Sequence, residues 1–589
     1  MNTNIPRPEH PRPDFERQNW LNLNGPWQFE FDDMNVGERE SWHQDRAFTG
    51  VIQVPYCFQS KLSGIKDTAF HDVVWYQRQF AVPDSFQGKR VMLHFGAVDY
   101  SAKVWLNGQL AGEHTGGYTP FRIDITDSLR EGENTVTVRV EDSSTNTSQP
   151  RGKQSWKPDN FGCWYTQVTG IWQTVWLEAV SATHLDKVKM TPDFDNGRLR
   201  LDVFVHGPVD GCELKARVSF EGHPIAEGSV RLLRSIQTFE IDVKSDHFEW
   251  KLAAWSPEHP NLYDIQFEVT RAGELLDSVS SYFGMRKIST RGGKVLLNNQ
   301  PIYQKLILDQ GYFDGGLLTA ATDEDYIHDI RLIKEFGFNG VRKHQKAEDP
   351  RFLYWADKMG LLVWGEMGSP YEFDDRMIAA NTEEWRRVVE RDYNHPCIIV
   401  WTLMNESWGI PRIQTDRKQQ HHTMSLYYMV KSYDDTRLVI SNDGWEHTVS
   451  DLITFHDYMQ DGERLAARLA SKEAVLTEPV CSVGNTLGAK YMFAEGFTYS
   501  GQPILLSECC GVAYDTGVGW GYGSSVRTEE QFLERYRSIL QAIHDHSYIA
   551  GFCTTQLTDV QQEINGLVTI DRKPKVDPAR FAAILHQLN

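Results

Sequence analysis

Two glutamates, Glu406 and Glu508, stand at the polar ends of otherwise apolar runs, IIVWTLMNES and PILLSECC. Carboxyl groups brought together from separate strands can divide a reaction, one held protonated by its surroundings and the other kept ionised by a nearby cation. Breaking a glycosidic bond needs such a pair, and a separation of about 5 to 5.5 Å opens the covalent, configuration-retaining route. Other runs end in the same way: IYQKLILDQ at Asp309, NGVRKHQ at Arg342 and His344, and LITFHDY at His456, Asp457 and Tyr458. One of the pair, ionised beside Arg342, is suited to act as a nucleophile while the other is held protonated as the acid, and Asn405 is suited to donate to a sugar 2-hydroxyl. A single polar strand end is explained by solvent alone. The number of them on one face points to a shared site.

The elements that position these residues begin after Lys287, where short apolar runs alternate with helical patterns, as in a parallel sheet with crossover helices. Eight runs are present: IYQKLILDQ, NGVRKHQ, LLVWGEM, IIVWTLMNES, RLVISNDGW, LITFHDY, PILLSECC and IAGFCTTQLTD. This repeat predicts a (β/α)8 TIM barrel over 288–589, with the active site at the C-terminal ends of the strands. Strands four and seven lie three apart around such a ring, so Glu406 and Glu508 can face each other across its mouth. Tyr326, Ile330 and Ile333 share one helical face, as do Phe532, Tyr536, Ile539 and Ile543, and Thr528 with Gln531 reads as a capping box. The fifth crossover, between RLVISNDGW and LITFHDY, is too short for an ordinary helix.

Residues 1–180 read as a β-sandwich. Asn107-Gly108 marks a hairpin in AKVWLNGQLAGEH, and Val136, Val138 and Val140 share a face, as do Val175 and Leu177. Residues 181–287, with LRLDVFVHG, CELKARVSF, TFEIDV and YDIQFEVT, suit an immunoglobulin-like sandwich. Residues 143–167 form a long loop that carries Lys153, Trp156 and Trp164. Two roles stand side by side for it: shaping the barrel mouth, or having its aromatics pin it to the barrel.

A net charge of −20, from 60 basic and 80 acidic residues, argues against nucleic acid or an anionic membrane surface as partner. Eight irregularly spaced cysteines form neither a disulfide framework nor a zinc pattern. The polar, proline-rich N-terminus carries no signal-like apolar stretch, and no apolar run is long enough to span a membrane, so a reducing cytoplasm is the expected compartment.

The motifs together resemble glycoside hydrolase family 2, the family of β-galactosidases, β-glucuronidases and β-mannosidases, along essentially the whole chain. NLNGPWQFEFD, VWYQRQFAVP, VWLNGQLAGEHTGGYTPF and TGIWQTVWLE are similar to its sugar-binding-type, jelly-roll sandwich. FGFNGVRKHQ, ADKMGLLVWGEM, HPCIIVWTLMNES, PILLSECCG and NGLVTIDRKPK are similar to its barrel motifs, in order. The resemblance implies that Glu406 is the acid/base, Glu508 the nucleophile, Asn405 a glycone ligand and Tyr458 a hydrogen-bond donor to the nucleophile. It also implies that Asp309 and Arg342 line the glycone pocket.

Several positions depart from the family pattern. Arg342 and His344 are separated only by Lys343 and followed by Gln345, and the last strand run, TTQLTD, offers Gln556 and Asp559 where the family often has Trp. Asn565-Gly566-Leu567 lacks the lysine of the uronate-binding Asn-x-Lys motif, which disfavours a uronic acid. No cluster matches the magnesium site of the large β-galactosidases, so neither metal nor cofactor is expected. His421-His422 reads as a solvated pair and Cys509-Cys510 as pocket wall. Trp364 and Trp401 read as core or pocket floor, and Trp408 and Trp445 as sugar-stacking candidates. The expected activity is a retaining exo-glycosidase on a small or oligosaccharide glycoside, β-galactosidase-like first. β-Mannosidase, arabinopyranosidase and, less favoured, β-glucuronidase activity are alternatives, and transglycosylation shares the same intermediate. A non-catalytic carbohydrate-binding protein is the competing class, and relatives of this kind often form homo-oligomers.

Overall fold

The computed structural model describes residues 5–44, 46–249, 251–480 and 489–588; the first four residues of the N-terminal stretch read above lie outside it. The eight apolar runs become eight parallel barrel strands: β1 (Gln304–Asp309), β2 (Gly340–Lys343), β3 (Leu362–Glu366), β4 (Ile398–Thr402), β5 (Leu438–Ile440), β6 (Ile453–Asp457), β7 (Ile504–Cys510) and β8 (Ile549–Thr555). They are buried on both faces, which is why they read as continuous apolar runs rather than as alternation.

Helices pack outside them: α1 (Asp323–Glu335), α2 (Pro350–Met359), α3 (Asp375–Asp392), α4 (Arg417–Tyr433), α5 (Gly462–Leu469), α6 (Lys472–Thr477), α7 (Glu529–His544) and α8 (Pro578–His586). Their entry points follow local chemistry. Asp349, Asp374 and Asp577 each cap a helix start by accepting a backbone N–H, and Pro350 and Pro578 fill first-turn positions that need no donor. Thr528 likewise accepts from the N–H of Gln531, but the Gln531 amide oxygen reaches the N–H of Arg527 rather than that of Thr528. A reciprocal capping box forms instead at Thr322 and Asp325.

The barrel ladder is continuous in the order β5-β4-β3-β2-β1-β8-β7-β6. The gap falls at the short fifth crossover. There the His447 ring meets the backbone of Thr454, with Nε2 at 3.0 Å from its N and 2.8 Å from its O.

The first sandwich has one sheet in the order Trp20–Asn22, Val175–Val180, Arg90–Phe95, Phe121–Asp124. The facing sheet is six-stranded and contains the Ser101–Leu106/Gln109–Thr115 hairpin turned at Asn107-Gly108. The second sandwich packs three strands on four, the count of a constant-type immunoglobulin domain. A three-stranded ribbon over Ile288–Pro301 then leads into β1, with Ile288, Val295 and Leu297 buried in the barrel's apolar core.

Residues 5–17 do not join the first sandwich. Their proline-rich sequence has no strand pattern, and the segment runs between domains, taking its partners from each. Arg7 bonds Asp323 of α1, Phe15 enters the core of the second sandwich, and Glu16 exchanges two backbone hydrogen bonds with Ser280, both 2.9 Å. Arg17 joins Glu178 of the first sandwich (3.0 Å) to Asp277 of the second (2.9 Å), all three side chains nearly excluded from solvent. Truncating this guanidinium strands two buried carboxylates. Arg17→Met is expected to destabilise the domain junction by about 3–5 kcal/mol, measured as a lower denaturant midpoint for the earliest unfolding transition. An unchanged midpoint would show that the junction does not depend on this bridge.

Candidate active site

At the C-terminal mouth of the barrel, Arg342 from the end of β2 is completely buried and uses its planar fork on four groups. Nε donates to Glu366 (2.8 Å), Nη1 to Asp443 (2.5 Å) and Glu508 (3.1 Å), and Nη2 to the Asn405 side-chain oxygen (2.8 Å). His456, also fully buried, lies between the carboxylates. Its Nε2 is 2.7 Å from Asp443, and its Nδ1 is 2.8 Å from Glu406 and 3.5 Å from Glu508. Tyr458 donates its hydroxyl to Glu508 (2.5 Å) and stacks flat on Tyr522, ring centres 3.4 Å apart.

One donor atom from each of Glu406, His456 and Glu508 falls within 4.8 Å of the others. This is the only metal-capable group found among the described residues, and its histidine already has both ring nitrogens against carboxylates.

The electrostatics separate these groups. Burial opposes the charge on Glu508, but His456 and Arg342, with the Tyr458 hydrogen bond, overcome it and hold the carboxyl down at about 2. Burial likewise opposes a charged His456, yet Glu508 and Asp443, with the bonds to Asp443 and Glu406, raise it to about 10. His344 goes the other way: burial outweighs its contact with Glu366 (3.2 Å) and holds it neutral. Glu406 is the more accessible carboxyl, with its side chain about a fifth exposed. Both Glu406 (φ +52°) and Ser407 (φ +61°) sit in the left-handed region, at a cost on the order of 1–3 kcal/mol each. The N–H of Glu406 bonds the Asp443 carbonyl (2.9 Å) and that of Ser407 the Asn442 side chain (3.0 Å), so the β5 end enforces this turn.

Other predicted residues are placed differently. Asp309 does not line the pocket: it pairs with Lys343, which also binds Glu348 (2.7 Å) and lies over Phe352 of α2. The parallel register puts Leu308 beside Arg342 and Asp309 beside Lys343, so side-chain alternation sends Asp309 to the helix side of the wall. Trp445 offers no stacking face. It is 1% exposed and meets His456 edge-on at 5.5 Å. Gln556 is a buried wall residue, accepting from Gln310 (3.0 Å) and donating to Asn565 (2.8 Å). His422 is buried on α4, 3.3 Å from Asn381, while His421 alone is exposed. Cys509 and Cys510 are buried.

The 143–167 loop both reaches the mouth and is pinned there. The N–H groups of Arg151 and Gly152 reach the Ser369 carbonyl, and the Trp164 indole N–H donates to Tyr371 (2.6 Å). A Cβ at Gly152 would lie 2.3 Å from the Gln345 carbonyl oxygen, so only glycine admits this approach. Trp408 packs among Trp164, Tyr371 and His344, with Lys153 4.6 Å above its ring. Asp443 and Glu366 also end apolar runs, and the strand-end rule applied to RLVISNDGW and LLVWGEM would have found them. Glu563, in the loop after β8, accepts from Tyr165 (2.5 Å) and Asn565 (3.0 Å), and no periodicity marks it in the sequence.

Three family models match consecutive segments: the sugar binding domain of glycosyl hydrolases family 2 at 21–178, the model named simply for that family at 183–286, and its TIM barrel domain at 288–585. The chain belongs to glycosyl hydrolases family 2. Among curated relatives, a β-galactosidase of Thermoanaerobacter pseudethanolicus is 28% identical over 413 residues, covering 66% of this chain and 51% of its own length. One of Clostridium acetobutylicum is 24% identical over 621 residues, covering 95% and 63%. The chain spans about half the length of the curated relatives it matches. A solved Ruminococcus gnavus β-glucuronidase in complex with D-glucuronic acid shares the fold, with a TM-score of 0.78, 18% identity and 98% coverage of both chains. No described helix is long and apolar enough to cross a membrane.

The His456 cation gives a pH-dependent stability. Its contribution is fully present below pH 6.5, its ordinary value, and is lost as pH rises through about 10. The contribution of Glu508 is present above 4.5 and lost as pH falls through about 2. His456→Gln is therefore expected to be less stable than wild type near about pH 6 and to approach it above about pH 10.5, read from paired denaturation curves. A stability difference that stays constant across that range counts against a charged His456.

Proposed function

We propose that the chain is a retaining exo-glycosidase, with Glu508 as nucleophile and Glu406 as acid/base. The observation that carries this reading is the approach of the Glu406 and Glu508 carboxyl oxygens within 4.8 Å around one buried histidine, the close spacing of retaining enzymes rather than the wider one that admits a water. Glu508, held ionised by His456 and Arg342, attacks the anomeric carbon. Glu406 gives its proton to the departing glycosidic oxygen. The carboxylate this creates remains 2.8 Å from the His456 cation, which stabilises it. Water then gives Glu406 its proton and attacks the anomeric carbon, releasing Glu508. Asn405 supports the same reading: its oxygen is held by Arg342 while its buried Nδ2 has no partner among the described residues, leaving a donor for the sugar 2-hydroxyl.

The first substrate class is a terminal β-galactoside, with a protein that only binds carbohydrate as the competing class. A panel of nitrophenyl glycosides tests both. Glu508→Ala is expected to abolish turnover in a folded protein, and Glu406→Gln to lower kcat by roughly 10²- to 10⁴-fold. Proton NMR of the first product should show the substrate's anomeric configuration. Inversion would remove Glu508 as nucleophile, and no cleavage of any panel member by wild type would remove the exo-glycosidase reading.

A further inference from the structure

One buried cation in the pocket is not used by the reaction above. Lys153 belongs to the loop of the first sandwich, is 8% exposed, and rests 4.6 Å over the ring of Trp408, three residues beyond Asn405. Among the described residues its ammonium hydrogen-bonds the Cys163 thiol and forms no ion pair with a carboxylate. An ammonium carries three donors, a thiol takes one of them and is a weak acceptor, and leaving the others unmade in a buried place is costly. The missing acceptor is therefore expected from a ligand.

A carboxylate stands nearby in a fixed relation to it. The N–H of Tyr165 bonds the Lys153 carbonyl (2.8 Å), and the hydroxyl of the same tyrosine holds Glu563. Burial works against the charge of Lys153, but Cys163, Glu563, Glu508 and Glu406 together raise its pKa above the ordinary value. A sugar carboxylate entering here would meet Glu508 and Glu563 for one lysine. A sugar hydroxyl instead offers an acceptor to the ammonium and a donor to a carboxylate at once.

We propose that Lys153 is a substrate-binding residue lent to the barrel by the first sandwich. Its ammonium donates to hydroxyl oxygens of the terminal sugar, Glu563 accepts from the same sugar, and the pair selects neutral glycones over uronic acids. This rests on the glycosidase reading above and names the class of sugar its pocket takes. It also supplies a different ground for excluding uronates: a lysine is present in the pocket, and Glu563 counters it.

Full-length wild type, Lys153→Met and Glu563→Gln are compared on nitrophenyl β-galactoside and β-glucuronide, with thermal melting to verify folding and calorimetric titration of galactose and glucuronate. Lys153→Met is expected to lower kcat/KM for the neutral substrate by roughly 10- to 100-fold, mostly through KM. Glu563→Gln is expected to reduce the preference for neutral over uronide substrate by roughly tenfold. Unchanged neutral kcat/KM in a folded Lys153→Met protein overturns the proposal and leaves the glycosidase reading intact. A wild type that prefers the uronide, with that preference lost in Lys153→Met, also overturns it, because the lysine then binds a carboxylate. If wild type cleaves neither substrate, the titrations decide: galactose binding that disappears in Lys153→Met supports the role of the lysine, and binding that persists, or is absent in wild type, refutes it.

Discussion

A single guanidinium organises the mouth of the barrel. Arg342 has no solvent contact and ties the ends of β3 and β7 and the turns after β4 and β5 through Glu366, Glu508, Asn405 and Asp443. A fixed planar fork meeting carboxylates and an amide at set angles leaves each acceptor little freedom. Such a buried array is weak evidence for stability, because desolvating the ions offsets much of their attraction. Its value here is geometric: each partner is a strand-end or turn side chain whose position sets the distance between Glu406 and Glu508.

His456 completes this arrangement with a second cation, and the two cations face carboxylates that would otherwise repel one another. Asp443 is the shared anchor, one oxygen accepting from Arg342, His456 and Ser507. The turn that carries Glu406 is held by the Asp443 backbone as well. Backbone strain at Glu406 and Ser407 is thus sustained by the same β5 end whose following crossover is too short for a helix.

Much of this was legible in the sequence because buried parallel strands write themselves as apolar runs and their polar ends mark the functional face. The sequence marks which residues end strands, not which way they point. Asp309 and Arg342 look equivalent as strand-end polar residues, yet inter-strand register places them on opposite sides of the wall. Trp408 and Trp445 both follow strand ends, and only tertiary packing separates a half-buried ring at the mouth from one sealed against His456. Lys153 stood out only as part of a long loop, and Glu563 not at all, since irregular segments carry no period from which to infer where they fold back.

The attachment of residues 143–167 to the barrel also bears on how the molecule is made. Domains emerging from synthesis tend to fold as units, N-terminal first, so the sandwich that carries Lys153 and Trp164 is complete well before β7 and β8 exist. The barrel then closes against a surface already in place, with Gly152 admitting the Gln345 backbone and Tyr165 meeting Glu563 last. One wall of the pocket thus serves as a template for the rest, and substitutions in the first β-domain can alter the shape of the barrel mouth while leaving its strands untouched.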